Sequence, residues 1–234
     1  MYCPKPEAHR PIQQAAKDTI AYIRSAVRPG MTLKEVRALC EQKLMEFGAD
    51  SFWYYDVGAF VFSGDETALS VSGRTYQTAD RIIAADDIIT IDLSPQKDGF
   101  WGDYARTLVL EKGVVKEAEE ISAPLWREGI LMEEMLHREM VAFARPDTTF
   151  EELYLHINGF ITAHGWKNLD FNGNLGHSIV REKSDRIYTE RGNTRTLGEA
   201  GLFTFEPHIG REGSPYGFKK ENIYYFENGI PKEL

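Results

Sequence analysis

Two ten-residue stretches set 117 positions apart constrain this chain more than anything else in it. VRPGMTLKEV at 27–36 and ARPDTTFEEL at 144–153 share Arg, Pro, Thr and Glu in register. Each reads as a helix start: Pro closes the preceding segment, and Thr with Glu three places on is the pattern of a capping box. Alone the match is weak, because capping physics asks for these residues at many helix starts. Its strength comes from the strand-like runs that succeed each copy. After the first, two β-branched runs carry Asp92 and Asp103; after the second, GLFTFEPHIG and KKENIYYFENG carry Glu206 and Glu221. Asp92 and Glu206 lie 114 apart and Asp103 and Glu221 lie 118 apart, close to the helix offset. Each half therefore delivers one acid at the end of a strand and another at the start of the next. Packing the halves about a pseudo-twofold axis would bring four carboxylates together.

Aspartate is depleted from strands and rarely buried unless paired or bound to metal, so acids inside apolar runs need a partner. Four carboxylates crowded together repel, and burying them unpaired raises their pKa values and destabilises the fold. Two divalent ions resolve this by setting four positive charges against four negative ones, and water held between them becomes a nucleophile near neutral pH. His177, in NLGHSIV, adds an imidazole to the candidate ligands. An oxygen-rich set with one imidazole favours manganese, iron or cobalt over a thiolate-type zinc site, although zinc stays open. Cys3 and Cys40 are too few for a disulfide framework or a thiolate cage and read as plain thiols. His208 lies two residues beyond Glu206, so strand alternation points both to one face and makes His208 a candidate for contact with substrate or intermediate. Arg106 reads as the partner of a site acid, and Trp101 and Tyr104 as core aromatics.

Apolar spacing predicts helices over 7–28, 32–48 and 114–143, and strands over 52–62, 82–94 and 100–110. No linker divides the chain, so 1–234 reads as a single domain with pseudo-repeats at about 7–112 and 113–229. The net charge is −9 and the longest basic cluster is Lys219-Lys220, which argues against a nucleic-acid partner. No run of about 18 apolar residues suggests a membrane span, and the opening stretch lacks a basic region leading into an apolar one. The expectation is a soluble cytoplasmic protein.

IDLSPQKDGFWGDYARTLVL, GHSIV, FEP and a later strand Glu together resemble the signature of the pita-bread metallopeptidases of family M24: methionine aminopeptidase, Xaa-Pro aminopeptidase and prolidase. DYARTLV is most similar to the Xaa-Pro group. The resemblance spans about residues 10–229. It implies an α+β fold with pseudo-twofold symmetry and a curved, mainly antiparallel sheet backed by helices. It also implies a dinuclear site in which Asp103 and Glu221 bridge two divalent ions (Mn, Co, Fe or Zn). Asp92 would chelate one ion, and His177 with Glu206 would complete the other, Glu206 doubling as general base. The implied activity is hydrolysis of a C–N bond in a small peptide or amide, with a homodimer as an open expectation. Three departures stand out. Val71 and Ser184 occupy places where the family usually has histidines that handle substrate, and Ala105 stands where it has Ser or Thr. A metal enzyme acting on a non-peptide metabolite, or an inactive binding module on the same fold, are the alternatives these departures leave.

Overall fold

The computed structural model describes residues 4–234, and Cys3 lies outside them. Helices α1 (Pro6–Ala26) and α2 (Leu33–Glu46) lead into β1 (Ser51–Phe52), β2 (Ala59–Ser63), β3 (Asp87–Leu93), β4 (Pro95–Lys97), β5 (Phe100–Trp101), β6 (Tyr104–Glu111) and β7 (Val114–Val115). The second half repeats the plan. Helices α3 (Pro124–Phe143) and α4 (Phe150–Ala163) precede β8 (Trp166–Asn168), the short α5 (Leu197–Ala200), β9 (Leu202–Phe205), β10 (His208–Arg211), β11 (Gly217–Lys219), β12 (Asn222–Glu227) and β13 (Ile230–Glu233).

The internal duplication is built at the helix starts. Thr32 Oγ1 accepts from the Glu35 backbone N–H at 3.1 Å while Glu35 Oε2 accepts from the Thr32 N–H at 2.7 Å. Thr149 and Glu152 repeat this at 3.1 and 2.8 Å. Each threonine also makes an isolated antiparallel bridge, to Ile82 and to Thr196 respectively, so both helices are pinned to the chain in the same way. Helix lengths agree as well: 21 and 14 residues in the first half, 20 and 14 in the second.

All strand pairings are antiparallel, in a four-stranded sheet β2-β3-β6-β7 and three-stranded sheets β13-β12-β9, β1-β4-β5 and β11-β10-β8. Strand alternation sorts the central side chains between two cores. Ile89, Ile91, Leu93, Leu108 and Leu110 pack with Ile20, Ile23, Leu33 and Val36 of α1 and α2. Ile88 and Val109 face the other way, into a cluster with Leu136 and Met140 of α3, Leu153 of α4 and Phe203 of β9. Strands β3 and β6 therefore carry apolar residues on both faces, which is why their sequence reads as nearly continuous hydrophobic runs.

Three segments differ from the sequence expectation. The run 52–62 is two strands parted by a turn with Tyr55 and Asp56 at φ of 57° and 59°. The run 82–94 becomes a strand only at Asp87, whose carboxylate accepts from the Ala84 and Ile88 N–H groups and holds a bend there. The third helix starts at Pro124 rather than 114, because Pro suits a first-turn position where its missing N–H costs nothing.

Helix α3 buries His137 behind the sheet. Its Nε2–H donates to the Lys220 carbonyl at 3.0 Å and its Nδ1 accepts from the Tyr224 hydroxyl at 2.8 Å, so the neutral ring is fully satisfied. Burial, reinforced by the Lys220 charge, pushes its pKa well below 6.5. The unfolded chain then takes up a proton that the folded one refuses, so stability is complete above pH 6.5 and falls as pH drops. The loss is about 1.4 kcal/mol per pH unit for this group. His137→Gln is expected to remove about one proton from the pH slope of unfolding free energy between pH 6.5 and 5. Urea unfolding across that range reads it, and an unchanged slope would mean that the folded state protonates His137.

Candidate metal centre

Each sequence-predicted acid sits where a strand begins or ends. Asp92 is the penultimate residue of β3, opposite Ala105 of β6. Asp103 immediately precedes β6 and is held by a helix: Gln13 of α1 donates to its carbonyl and accepts from its N–H, both at 2.8 Å. Glu206 comes directly after β9, and its N–H donates to the Leu175 carbonyl at 3.0 Å. Glu221 precedes β12, and its N–H donates to the Ala105 carbonyl at 3.0 Å, joining the two halves beside the acids. His177 comes after Gly176, whose φ of +134° suits glycine and whose Cβ position lies 2.4 Å from the Thr204 carbonyl oxygen. Any side chain there would push the His177 segment off β9. The His177 Nδ1–H donates to the Ser178 carbonyl at 2.9 Å, which leaves Nε2 as the lone-pair nitrogen facing the acids.

These residues converge. Asp92, Glu206 and Glu221 offer oxygens that all lie within 4.8 Å of one another. His177 Nε2 is 3.5 Å from Asp103 Oδ2 and 4.0 Å from Glu206 Oε1. Asp103 Oδ2 and both carboxylate oxygens of Glu221 are buried without a hydrogen-bond donor. Burial, then the charges of Asp92 and Glu206, hold Asp103 far above the usual carboxylate range. Burial, then Asp103 and Glu206, do the same to Glu221. Orphaned, mutually repelling carboxylates beside an unprotonated imidazole form the donor set that a hard or borderline divalent cation completes, so the residues fit a metal. Burial also lowers the His177 pKa to about 3, with Arg186 adding to the shift, which keeps the ring neutral.

The acids already hold one cation. Lys219 Nζ donates to Asp92 Oδ2 at 2.6 Å and lies 2.9 Å from Glu206 Oε2. Its own burial favours the neutral amine, but Asp92, Glu206 and Glu221 together outweigh that and lift its pKa well above 10.5. Lys219 was missed at the level of sequence. Arg106 corrects an expectation: it pairs with no site carboxylate. Its guanidinium donates to the carbonyls of Ala105 and Glu221 and to Asn222 Oδ1, each at 2.7 Å, so it fixes the backbone at the join between halves. Trp101 is core, as expected, stacked on Trp53 with ring centroids 4.3 Å apart.

Above the acids opens a cavity of about 350 Å³. Trp53, Tyr54, Phe60, Phe62, Val71 and Tyr188 supply its apolar wall. His208 lines it too, with its Nε2–H donating to the Thr67 carbonyl at 2.7 Å. Burial and the Lys219 charge lower its pKa to about 4. Ser184 is exposed and does not line the cavity, whereas Arg186 does.

The model of metallopeptidase family M24 matches residues 7–228. The chain belongs to that family. Membership makes it a metallopeptidase-type hydrolase of a divalent-metal-dependent family. A curated relative, methionine aminopeptidase of Helicobacter pylori strain J99, is 24% identical over 220 residues, covering 89% of this chain and 81% of the relative. Among solved structures, an X-Pro aminopeptidase from Thermotoga maritima MSB8 superposes with a TM-score of 0.79 at 22% identity over 98% of this chain. The M24 chain spans 61% of that enzyme's length. A methionine aminopeptidase from Thermotoga maritima gives a TM-score of 0.75 at 14% identity, covering all of this chain and 98% of the other. These likenesses establish the pita-bread α+β fold. Among the described residues no helix is long and apolar enough to cross a membrane.

Proposed function

We propose that this M24 protein hydrolyses the C–N bond of a small peptide or amide with two divalent ions, in the manner of the Xaa-Pro aminopeptidases and prolidases. Asp92, Asp103, His177, Glu206 and Glu221 would hold the ions. The observation that carries this reading is the set of buried carboxylate oxygens on Asp103 and Glu221 with no donor to satisfy them. Bound there, divalent ions supply Lewis acidity toward the scissile carbonyl and hydroxide near neutral pH. Manganese or another oxygen-seeking ion suits the donors best.

Glu206 is the general base in this reading. Burial raises its pKa, with Lys219 pulling the other way, so its carboxylate is more ready to take a proton than a solvated one. His208 meets the substrate as an acceptor, because its Nε2–H is committed to Thr67 and only Nδ1 remains. Val71 supports a second reading, in which the substrate is a metabolite amide rather than a peptide: it adds an apolar side chain to the cavity wall at a place where the family resemblance implies a histidine. The chain acts as one domain, in the cytoplasm.

The test is metal analysis of the purified protein, then a screen of dipeptides and simple amides with Mn²⁺, Co²⁺ or Fe²⁺ added. Two ions per chain and turnover of a dipeptide are expected. Absence of bound metal at micromolar supply sinks the enzymatic reading, and metal without peptide turnover transfers support to the metabolite. His208→Ala with unchanged KM and kcat removes the role given to His208.

A further inference from the structure

The short helical turn Gly64–Ala68 presents two consecutive side chains to two different cavities. Thr67 lines the one above the acids, where its carbonyl accepts from His208 Nε2–H at 2.7 Å and its Oγ1 accepts from the Gly217 N–H at 3.0 Å. These bonds to the second half of the chain fix the turn. Glu66 lines a separate cavity of about 250 Å³. Its Oε2 is buried and receives no hydrogen bond. The neighbouring cation, Arg81, donates instead to Asp65 at 2.6 Å. Two hydroxyls of the same cavity are also spent: Thr75 donates to the Ser72 carbonyl at 3.3 Å, and Tyr76 to the Val61 carbonyl at 3.1 Å. A buried carboxylate oxygen without a donor costs free energy that a ligand's N–H recovers.

Phe62, Leu69 and Val71 line both cavities, so the second opens beside the first along an apolar wall. Leu69 is 51% exposed and has apolar surface left to cover. Phe62 and Tyr76 meet edge to face with ring centroids 5.4 Å apart and continue the apolar surface toward Glu66. An aliphatic stem suits the wall, and a positive charge suits the acceptor beyond it. Those are the two parts of a lysine-like arm. The volume falls short of the roughly 300 Å³ at which sites for whole ligands begin, so this cavity suits an arm rather than a molecule.

We infer that Glu66 receives a flexible basic arm of the substrate, so that the preferred small peptides or amides carry a lysine-like side chain next to the bond that is cut. The bond stays over the acids while the arm runs along Leu69 and Val71 into the second cavity. Its stem covers Leu69, and its terminal N–H donates to Glu66 Oε2. The inference rests on the hydrolytic reading above and adds to it the residue that selects substrate. Glu66 touches no reacting atom, so its effect belongs in KM.

The experiment uses two pairs of dipeptides on the metal-loaded protein: lysylalanine with norleucylalanine, and alanyllysine with alanylnorleucine. Within a pair the stems match and only the terminal ammonium differs. In the pair whose side chain reaches Glu66, wild type is expected to favour the lysine member about 20-fold in kcat/KM, chiefly through KM, the size of a charge-assisted hydrogen bond. Glu66→Gln should bring that pair within about threefold, and Glu66→Asp should keep part of the preference. No preference in either pair overturns the inference, as does a preference that Glu66→Gln leaves intact. An equal loss on both members would mean that Glu66 only holds the turn beneath His208, and overturns it too. If wild type hydrolyses none of the four, calorimetric titration of the same probes into metal-loaded wild type and Glu66→Gln separates the two levels. A Glu66-dependent preference for a lysine member then upholds the site and rejects peptide hydrolysis. Binding of none of the four overturns the inference.

Discussion

Glu206→Gln is expected to lower kcat/KM by about 10³-fold while the protein stays folded. General-base assistance is worth roughly 10² to 10⁴ in rate, and the same substitution takes one negative charge out of the donor set. At about 1.36 kcal/mol per factor of ten, the loss corresponds to about 4 kcal/mol of barrier. Glutamine keeps the shape of the side chain and can still accept the long 3.5 Å hydrogen bond that Thr204 Oγ1 gives to Oε1, so the loss is chemical rather than a collapse of the strand end. Single-turnover kinetics at saturating metal, alongside metal content, distinguish the two roles of this residue. A rate that falls while both ions stay bound marks Glu206 as the base. A fall that extra metal reverses marks it chiefly as a ligand. Turnover within tenfold of wild type would contradict both.

The positions of the acids were legible because two periodicities agree. The repeat places Thr32 over Thr149, and strand ends carry Asp92 and Glu206 as strand starts carry Asp103 and Glu221. The features that escaped depended on direction rather than on residue type. Arg106 was expected to meet a site acid, yet it has the opposite strand parity to Asp103 and so points away from the carboxylates; alternation by itself contained that correction. Lys219-Lys220 looked like a small solvated basic pair. In the fold the two diverge, Lys219 to Asp92 and Glu206, Lys220 to Glu134. A usable signal existed: Lys219 lies two residues before Glu221, the spacing that places both on one face. No comparable signal marks Arg186 or the positive-φ turn at Tyr55 and Asp56, because loops carry no period and their geometry is set by their packing neighbours.

Lys219→Met is expected to destabilise the metal-free protein by about 3–5 kcal/mol, the cost of leaving a buried charge pair with one partner missing. In a chain of this size that is roughly a 10 °C fall in melting temperature. Methionine retains much of the apolar stem and removes only the ammonium, so Asp92 and Glu206 are left facing Asp103 and Glu221 with no positive charge among them. Their remaining escape is protonation, which should be visible as an apoprotein that gains stability when pH falls from 8 to 6. Two divalent ions bring more positive charge than the lysine did, so saturating metal should recover most of the loss. The comparison is therefore thermal unfolding of wild type and variant, each with chelator and with metal. A deficit confined to the chelated samples identifies Lys219 as the resident counter-ion that lets the four acids fold together before metal arrives. A deficit of equal size in both conditions would instead make its contribution one of packing, and the carboxylates would then have to be balanced by Arg186 and by shared protons alone.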